Sequence, residues 1–187
     1  MGHEIHSQIG ILLETRDYGE SGKILYFLTK ESGVLACIAT GVREQKSKMR
    51  GSIVPLCIAS FDFVEGREVN RLTGIQVLQN LCSNLNIEKR KAVSNIVNFV
   101  LRTVVGETPN ESLYDNIILG FEELHHAEGP ALLEVLEIIW LLKILVSLGY
   151  WEAGKYDNFG EENFGVVSEI KKLLVEEINT AIKSTQL

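Results

Sequence analysis

The spacing of apolar residues changes once along this chain, near residue 85, and this change limits the possible folds more than any other feature. Before it, apolar and polar residues alternate in short runs, as where Cys57, Ala59, Phe61 and Phe63 share one face. After it, apolar residues recur at every third or fourth position, which is the period of an amphipathic helix. Strands therefore precede helices, an order typical of α+β proteins or of two fused domains.

The first half of the sequence contains five short apolar runs separated by turn residues. We place them at residues 5–14, 23–30, 34–42, 56–64 and 69–78. Between them, we interpret residues 16–22, which hold two glycines, and the polar residues 43–52 as loops. Five strands with regular turn signals suggest a small antiparallel barrel or sandwich, and their span of about 75 residues matches an OB-fold barrel. We therefore predict an OB-fold β-barrel domain over residues 1–80.

The second half, residues 81–187, is predicted to form an all-helical C-terminal domain. Helices are expected at 88–105, from 108 to about 125, at 131–148 and at about 166–183, with a loop at 150–164. The second helix should begin at Thr108, because Thr108-Pro109-Asn110-Glu111 is a capping box with proline at the first helical position. The third helix is apolar on nearly all sides, as in a central helix, and Gly149 is expected to end it.

The charge of the chain is divided unequally between its two halves. The formal net charge is −7, from 18 basic and 25 acidic residues, which taken whole argues against a nucleic-acid-binding protein. Residues 1–80 hold 9 Lys or Arg and 9 Asp or Glu, whereas residues 81–187 hold 9 and 16. The acidic excess therefore belongs entirely to the helical half, and the strand half is neutral.

One loop of the neutral half is strongly basic. Four cations and one anion lie within residues 43–50, for a local charge of +3; the cations are Arg43, Lys46, Lys48 and Arg50. With the hydroxyl of Ser47, these side chains supply the donors that phosphate oxygens accept. The loop is therefore our main candidate for a DNA contact, and the alternative is a solvated hairpin tip.

Two further cations and two aromatic residues complete the candidate DNA-binding set. Lys23 lies at the start of the second strand, and Arg71 lies in the last strand. Tyr18 and Tyr26 are candidate platforms for base stacking, because both have a polar tip and lie near glycine or basic residues. A barrel with such side chains can form an electrostatic groove for a single strand.

The sequence contains no recognisable catalytic or metal-binding pattern, so we predict neither enzymatic activity nor a cofactor. There is no phosphate-binding loop, nucleophile elbow or CxxC motif. The three cysteines are Cys37, Cys57 and Cys82, and the first two lie in apolar runs, so we expect them to be buried and reduced. Reduced cysteines and the lack of a signal peptide at the N-terminus favour a cytoplasmic location.

Four motifs follow one another in the strand half with characteristic spacing. They are Thr15-Arg16-Asp17-Tyr18-Gly19-Glu20-Ser21, Leu28-Thr29-Lys30-Glu31-Ser32-Gly33, Ala39-Thr40-Gly41-Val42-Arg43 and Lys46-Ser47-Lys48-Met49-Arg50-Gly51. In order and spacing, residues 8–78 closely resemble the N-terminal OB domain of the bacterial recombination mediator family RecO. The family's Lys/Arg-Ser-x-x-Arg loop corresponds to Lys46-Ser47-Lys48-Met49-Arg50.

The resemblance implies a function in DNA repair and recombination. It implies a nucleoid-associated protein that binds single- and double-stranded DNA and promotes annealing of complementary strands in gap and double-strand-break repair. It also implies work with RecR and with single-stranded-DNA-binding protein to load recombinase. An OB-fold adaptor that binds protein and has little affinity for DNA is the alternative hypothesis.

The sequence departs from the family at one known metal site. Many members carry a four-cysteine zinc site after a segment that corresponds to Leu148-Gly149-Tyr150, and residues 150–165 contain no cysteine. We therefore expect no metal in this chain.

Overall fold

The computed structural model describes residues 4–104, 106–150, 175–176 and 179–180, and these contain five strands followed by three helices. The strands are β1 (Ile5–Tyr18), β2 (Gly22–Thr29), β3 (Gly33–Ala39), β4 (Cys57–Val64) and β5 (Asn70–Asn80). The helices are α1 (Ile87–Thr103), α2 (Glu111–His126) and α3 (Pro130–Ser147). The predicted α+β class, with strands first and helices after, is confirmed.

The five strands form a closed barrel in the order β1-β2-β3-β5-β4. Neighbouring strands are antiparallel except β3 and β5, which close the barrel through two parallel pairs, Cys37 with Asn70 and Ile38 with Arg71. Strand β1 is long enough to pair with both β4 and β2, and its register shifts between Leu12 and Glu14. Such an irregularity bends a strand, which lets one strand serve two edges of a closing sheet.

The barrel core is filled by the inward-facing residue of every second position. Phe27 and Phe61 stack at its centre with their ring centroids 3.9 Å apart. Phe61, Phe63, Cys37 and Cys57 all belong to this core, so the predicted burial of the two cysteines is confirmed. Burial raises the pKa of the Cys37 thiol to about 12 and that of Cys57 to about 11, because a thiolate is poorly solvated there.

Two predicted boundaries are wrong. Residues 16–18 are not a loop, since β1 continues through Tyr18 and the turn that joins it to β2 holds only residues 19–21. Helix α2 begins at Glu111 and not at Thr108. Residues 106–110 belong to the barrel unit, and the Thr108 backbone lies against Gly33, because a Cβ added to Gly33 would overlap the carbonyl oxygen of Thr108.

By its contacts the chain divides into two compact units. The barrel unit comprises Met1–Ser83 and Val105–Asn110, and the helical unit comprises Asn84–Val104 and Glu111–Leu187. All of the predicted loop at 150–164 except Tyr150, and most of the predicted last helix at 166–183, lie outside the described residues.

In the helical unit, α3 packs against both α1 and α2. Its Trp140 side chain is 1% exposed and donates a hydrogen bond from Nε1 to Glu123 Oε2 at 2.8 Å. The predicted end of α3 is confirmed: Gly149 has φ +74°, and its N–H donates to the Val146 oxygen while that of Tyr150 donates to the Leu145 oxygen. Within the described residues, no helix is both long and apolar enough to cross a membrane.

Candidate nucleic-acid interface

The basic loop crosses one end of the barrel and is not a hairpin. It joins β3 to β4, and these two strands are not neighbours in the barrel order. Met49, Ile53 and Val54 pack against the barrel core, and Val42 at the start of the loop is only 2% exposed. The loop is therefore anchored from beneath, in contrast to a solvated hairpin tip.

Backbone hydrogen bonds also hold the loop in place. The N–H of Arg43 donates to the Ser21 oxygen at 2.9 Å, which ties the start of the loop to the turn between β1 and β2. Further on, the N–H of Ser47 donates to Glu44 at 3.1 Å and that of Ser52 to Met49 at 3.0 Å, the latter beside a short 3-10 helix, Arg50–Ser52. The basic side chains thus start from fixed backbone positions.

Beneath this loop lies a cleft of about 410 Å³, whose lining includes the side chains of Lys23, Arg43 and Arg50. Lys23 reaches it because Lys23, Leu25 and Phe27 form the inward row of β2, and Lys23 continues this row beyond the buried core to the mouth of the barrel. The fold thus brings together three candidate cations that are far apart in sequence. We refer to this cleft and residues 40–56 as the basic end.

One acidic residue that sequence reasoning missed, Asp17, also lines the cleft. Its Oδ1 is 3.0 Å from Lys23 Nζ, and its Oδ2 is 3.4 Å from an Arg43 guanidinium nitrogen. The hydrogen bond from Lys23, aided by the charge of Arg43, lowers the pKa of Asp17 below its ordinary value. Asp17 leaves the cleft with a formal charge of +2 from its three cations and one carboxylate.

The hairpin register could have revealed this pairing. Asp17 and Lys23 lie directly opposite each other, two positions from the turn on either side. Cross-strand neighbours of opposite charge attract at this separation. The prediction of a loop at residues 16–22 hides this register, and therefore also the position of Asp17 opposite Lys23.

The remaining candidate residues of the loop lie at its outer surface. Lys46 and Lys48 are exposed, and Ser47 between them is half-buried. Within the described part of the chain, no ion pair is formed by Lys46, Lys48 or Arg50. Unlike Lys23 and Arg43, these three cations can bind an anion without first breaking an ion pair with a carboxylate.

The two aromatic candidates and Arg71 lie on the outer face of the barrel and do not line the cleft. Tyr18 is 49% exposed. Tyr26 is half-buried, and the Arg16 guanidinium, which is paired with Glu14 at 2.9 Å, lies 5.1 Å from the centre of its ring. Arg71 pairs with Ile38 on the outward side of the short β3–β5 ladder. The structure therefore separates the predicted cations of the cleft from the predicted stacking platforms.

Among the described residues, no three His, Cys, Asp or Glu side chains lie close enough together to hold a metal ion. Residues 151–165, which correspond to the zinc-binding segment of many RecO proteins, lie outside those residues.

The comparisons with known proteins agree on one family. Residues 1–81 match the family described as Recombination protein O N terminal. Three relatives, each named DNA repair protein RecO, extend the similarity beyond the barrel. That of Rubrobacter xylanophilus is 25% identical over 142 residues, which cover 75% of this chain and 56% of the relative. That of Nostoc punctiforme is 32% identical over 123 residues, with coverages of 64% and 39%.

The third relative, from Moorella thermoacetica, is 33% identical over 125 residues, which cover 66% of this chain and 46% of the relative. The chain spans about half the length of the curated relatives it matches. The matched residues 1–81 contain all five strands, the basic loop and the cleft. Residues 1–81 are therefore a RecO N-terminal domain, and the similarity to RecO proteins continues beyond this domain.

Proposed function

We propose that this chain acts in DNA repair and recombination as a RecO-type mediator whose basic end binds single- and double-stranded DNA. The observation that carries the proposal is the cleft at the mouth of the barrel, where Lys23, Arg43 and Arg50 converge beneath a loop that also exposes Lys46 and Lys48. Phosphate contacts of this kind position a nucleic acid without reading its sequence.

The same geometry suits the annealing of complementary strands. The cleft offers cations to the phosphates, while Tyr18 and Tyr26 lie outside its lining. A strand held by its phosphates and not stacked on aromatic rings keeps its bases available for pairing. Neutralising part of the phosphate charge also reduces the repulsion between two strands.

The helical half would contribute to recombinase loading through protein partners. Its seven excess negative charges disfavour contact with DNA, so we expect DNA to approach the basic end. RecR and single-stranded-DNA-binding protein are the partners that the similarity to RecO proteins suggests, and recombinase would be reached through them.

The test is fluorescence anisotropy with a labelled single-stranded oligonucleotide over a range of salt concentrations. For roughly four to six phosphate contacts, the slope of log K against log salt should be about −3 to −4. A complementary pair of oligonucleotides then reports whether the protein speeds annealing. Lack of salt-sensitive binding at micromolar protein would contradict the proposal.

One observation favours the second candidate, an OB-fold adaptor that binds protein. Asp17 already forms ion pairs with Lys23 and Arg43, so DNA phosphates must compete with the Asp17 carboxylate for these two cations. If DNA binding is absent while the chain retains RecR binding, the adaptor is the better description.

A further inference from the structure

The opposite end of the barrel carries a second pocket, of about 400 Å³. The basic end lies where β1 ends and β2 begins, whereas this pocket lies where β1 and β3 begin and β4 ends. The turn between β4 and β5 and residue Glu107 form its rim. We refer to this pocket and its rim as the acidic end.

The rim attracts cations. Glu65, Glu68 and Glu107 line the pocket together with a single permanent cation, Arg67, so the formal charge is −2 with His6 neutral. His6 Nε2 lies 3.8 Å from Glu65 Oε1. Charge alone does not define a site, because exposed carboxylates are common on protein surfaces.

The second observation is a pair of amide side chains that line the pocket and have unused hydrogen-bonding capacity. Gln8 donates from Nε2 to Ser32 Oγ at 2.9 Å, but its Oε1 is buried and accepts no hydrogen bond. Asn70 is only 8% exposed and lines the same pocket, and its side chain makes no hydrogen bond within the described residues. Buried polar atoms are nearly always paired, so the Gln8 oxygen indicates a missing donor, and Asn70 has an amide oxygen beside it to accept from the same ligand.

The pocket wall includes an aromatic surface. The rings of His6 and Phe63 lie 5.5 Å apart at 30°, and both residues line the pocket. A cation over an aromatic face is attracted by the negative charge of the ring, and a planar guanidinium also stacks on it. A ligand that combines positive charge, several N–H donors and a flat shape therefore fits this site.

We propose that the acidic end binds the guanidinium group of an arginine side chain presented by another protein. Guanidinium offers five N–H donors and no acceptor, which complements the amide oxygens of Gln8 and Asn70 and the carboxylates of the rim. Free arginine fits less well, since its own carboxylate would approach Glu65, Glu68 and Glu107. The source is therefore an arginine within a peptide chain.

The test is titration of the full-length, ¹⁵N-labelled protein with the peptide acetyl-Gly-Arg-Gly-amide, followed by NMR. The side-chain amide signals of Gln8 and Asn70 should shift, and those near Lys23 and Arg43 at the basic end should not. The citrulline peptide, which has the same shape but no charge, should bind about tenfold more weakly or not at all. Equal binding of both peptides, or unmoved Gln8 and Asn70 signals, would overturn the proposal.

Two variants locate the effect. The double substitution Glu68→Gln and Glu107→Gln removes two exposed charges and leaves the core intact. It should weaken the binding of the arginine peptide about fivefold. The matched control is Glu20→Gln, an exposed carboxylate in the turn between β1 and β2 at the other end of the barrel. Equal loss in the control would show a non-specific charge effect and overturn the site. Free arginine that binds as tightly as the peptide would overturn the assignment to a protein partner.

Discussion

The two ends of the barrel are built by the same five strands but have opposite charge. At the basic end, a 17-residue loop, 40–56, crosses between β3 and β4 and presents cations over an anchored apolar floor. At the acidic end, short turns and the segment 106–110 present carboxylates around two amides that are not fully hydrogen-bonded. The comparison shows that a domain with a net charge of only −1 can still have a strong electrostatic direction.

The charge counts make the contrast explicit. The basic end and its turns hold five cations against three carboxylates: Lys23, Arg43, Lys46, Lys48 and Arg50 against Asp17, Glu20 and Glu44. The other end holds two cations against five carboxylates: Lys30 and Arg67 against Glu4, Glu31, Glu65, Glu68 and Glu107. A field of this form attracts phosphates to one end and repels them from the other.

The largest expected effect comes from removing the three cations of the basic loop that form no ion pair. The variant with Lys46, Lys48 and Arg50 all changed to Ala should flatten the salt slope by about two units and weaken binding about a hundredfold at low salt. Anisotropy with single-stranded DNA measures both. The matched control, Glu65→Gln with Glu68→Gln at the acidic end, should leave the slope unchanged. If both variants behave alike, the two ends do not differ in DNA binding.

The next largest effect is expected from disturbing the contact between Gly33 and the Thr108 backbone at the acidic end. Gly33→Ala should lower the free energy of unfolding by about 1–3 kcal/mol, because Gly33 has φ +64° and its new Cβ would overlap the Thr108 backbone. The variant should also weaken arginine-peptide binding, since Glu107 lies in the displaced segment. Urea unfolding measures the stability. Gly51→Ala in the basic loop, where no atom lies within 4 Å of the added Cβ, is the control and should change little.

A smaller effect of opposite sign tests the carboxylate at the basic end. Asp17→Asn releases Lys23 and Arg43, so DNA affinity should rise a few-fold and the salt slope should steepen by about 0.7. Glu20→Gln, which removes a nearby exposed carboxylate, should have less effect. An unchanged affinity in the Asp17 variant would show that the two cations do not contact DNA.

The difference in DNA affinity between the wild type and Asp17→Asn should depend on pH, because the pKa of Asp17 is lowered. A lowered pKa keeps the carboxylate charged as the pH falls, so most of the affinity difference between the wild type and Asp17→Asn should persist at about pH 4, where an ordinary aspartate is about half protonated. The difference should vanish only once the pH falls below the ordinary range of an aspartate. A loss of about half of the affinity difference by about pH 4 would mean that Lys23 and Arg43 do not stabilise the carboxylate.

The smallest effect is expected on the outer face. Tyr18→Ala should weaken single-stranded DNA binding less than twofold, because Tyr18 lies outside the cleft lining. A true stacking platform would lose about 1–3 kcal/mol per base, a far larger change. A loss of that size would extend the DNA path beyond the basic end.

Much of the fold could be predicted from the sequence because the periods of strands and helices are local properties. The alternation at Cys57, Ala59, Phe61 and Phe63 and the helical stop at Gly149 both depend on a few neighbouring residues. What could not be predicted depends on contacts between distant residues. Asp17 joins Lys23 and Arg43 only through the hairpin register and the crossing loop.

The acidic end is the clearest example of this limit. Gln8, Asn70 and Glu107 lie up to 99 residues apart, and only barrel closure and the docking of residues 106–110 bring them together. The capping box at Thr108 even predicted a helix for that segment. Tertiary packing against Gly33 prevailed over this local preference.

The most direct test of the two-ended barrel is NMR mapping of DNA binding on the ¹⁵N-labelled protein. With an oligothymidylate of about a dozen nucleotides, a length that OB-folds bind, the amide signals of Lys23, Arg43 and residues 46–52 should shift. Those of residues 65–70 should not move. Equal shifts at both ends, or shifts confined to residues 65–70, would contradict the assignment of DNA binding to the basic end.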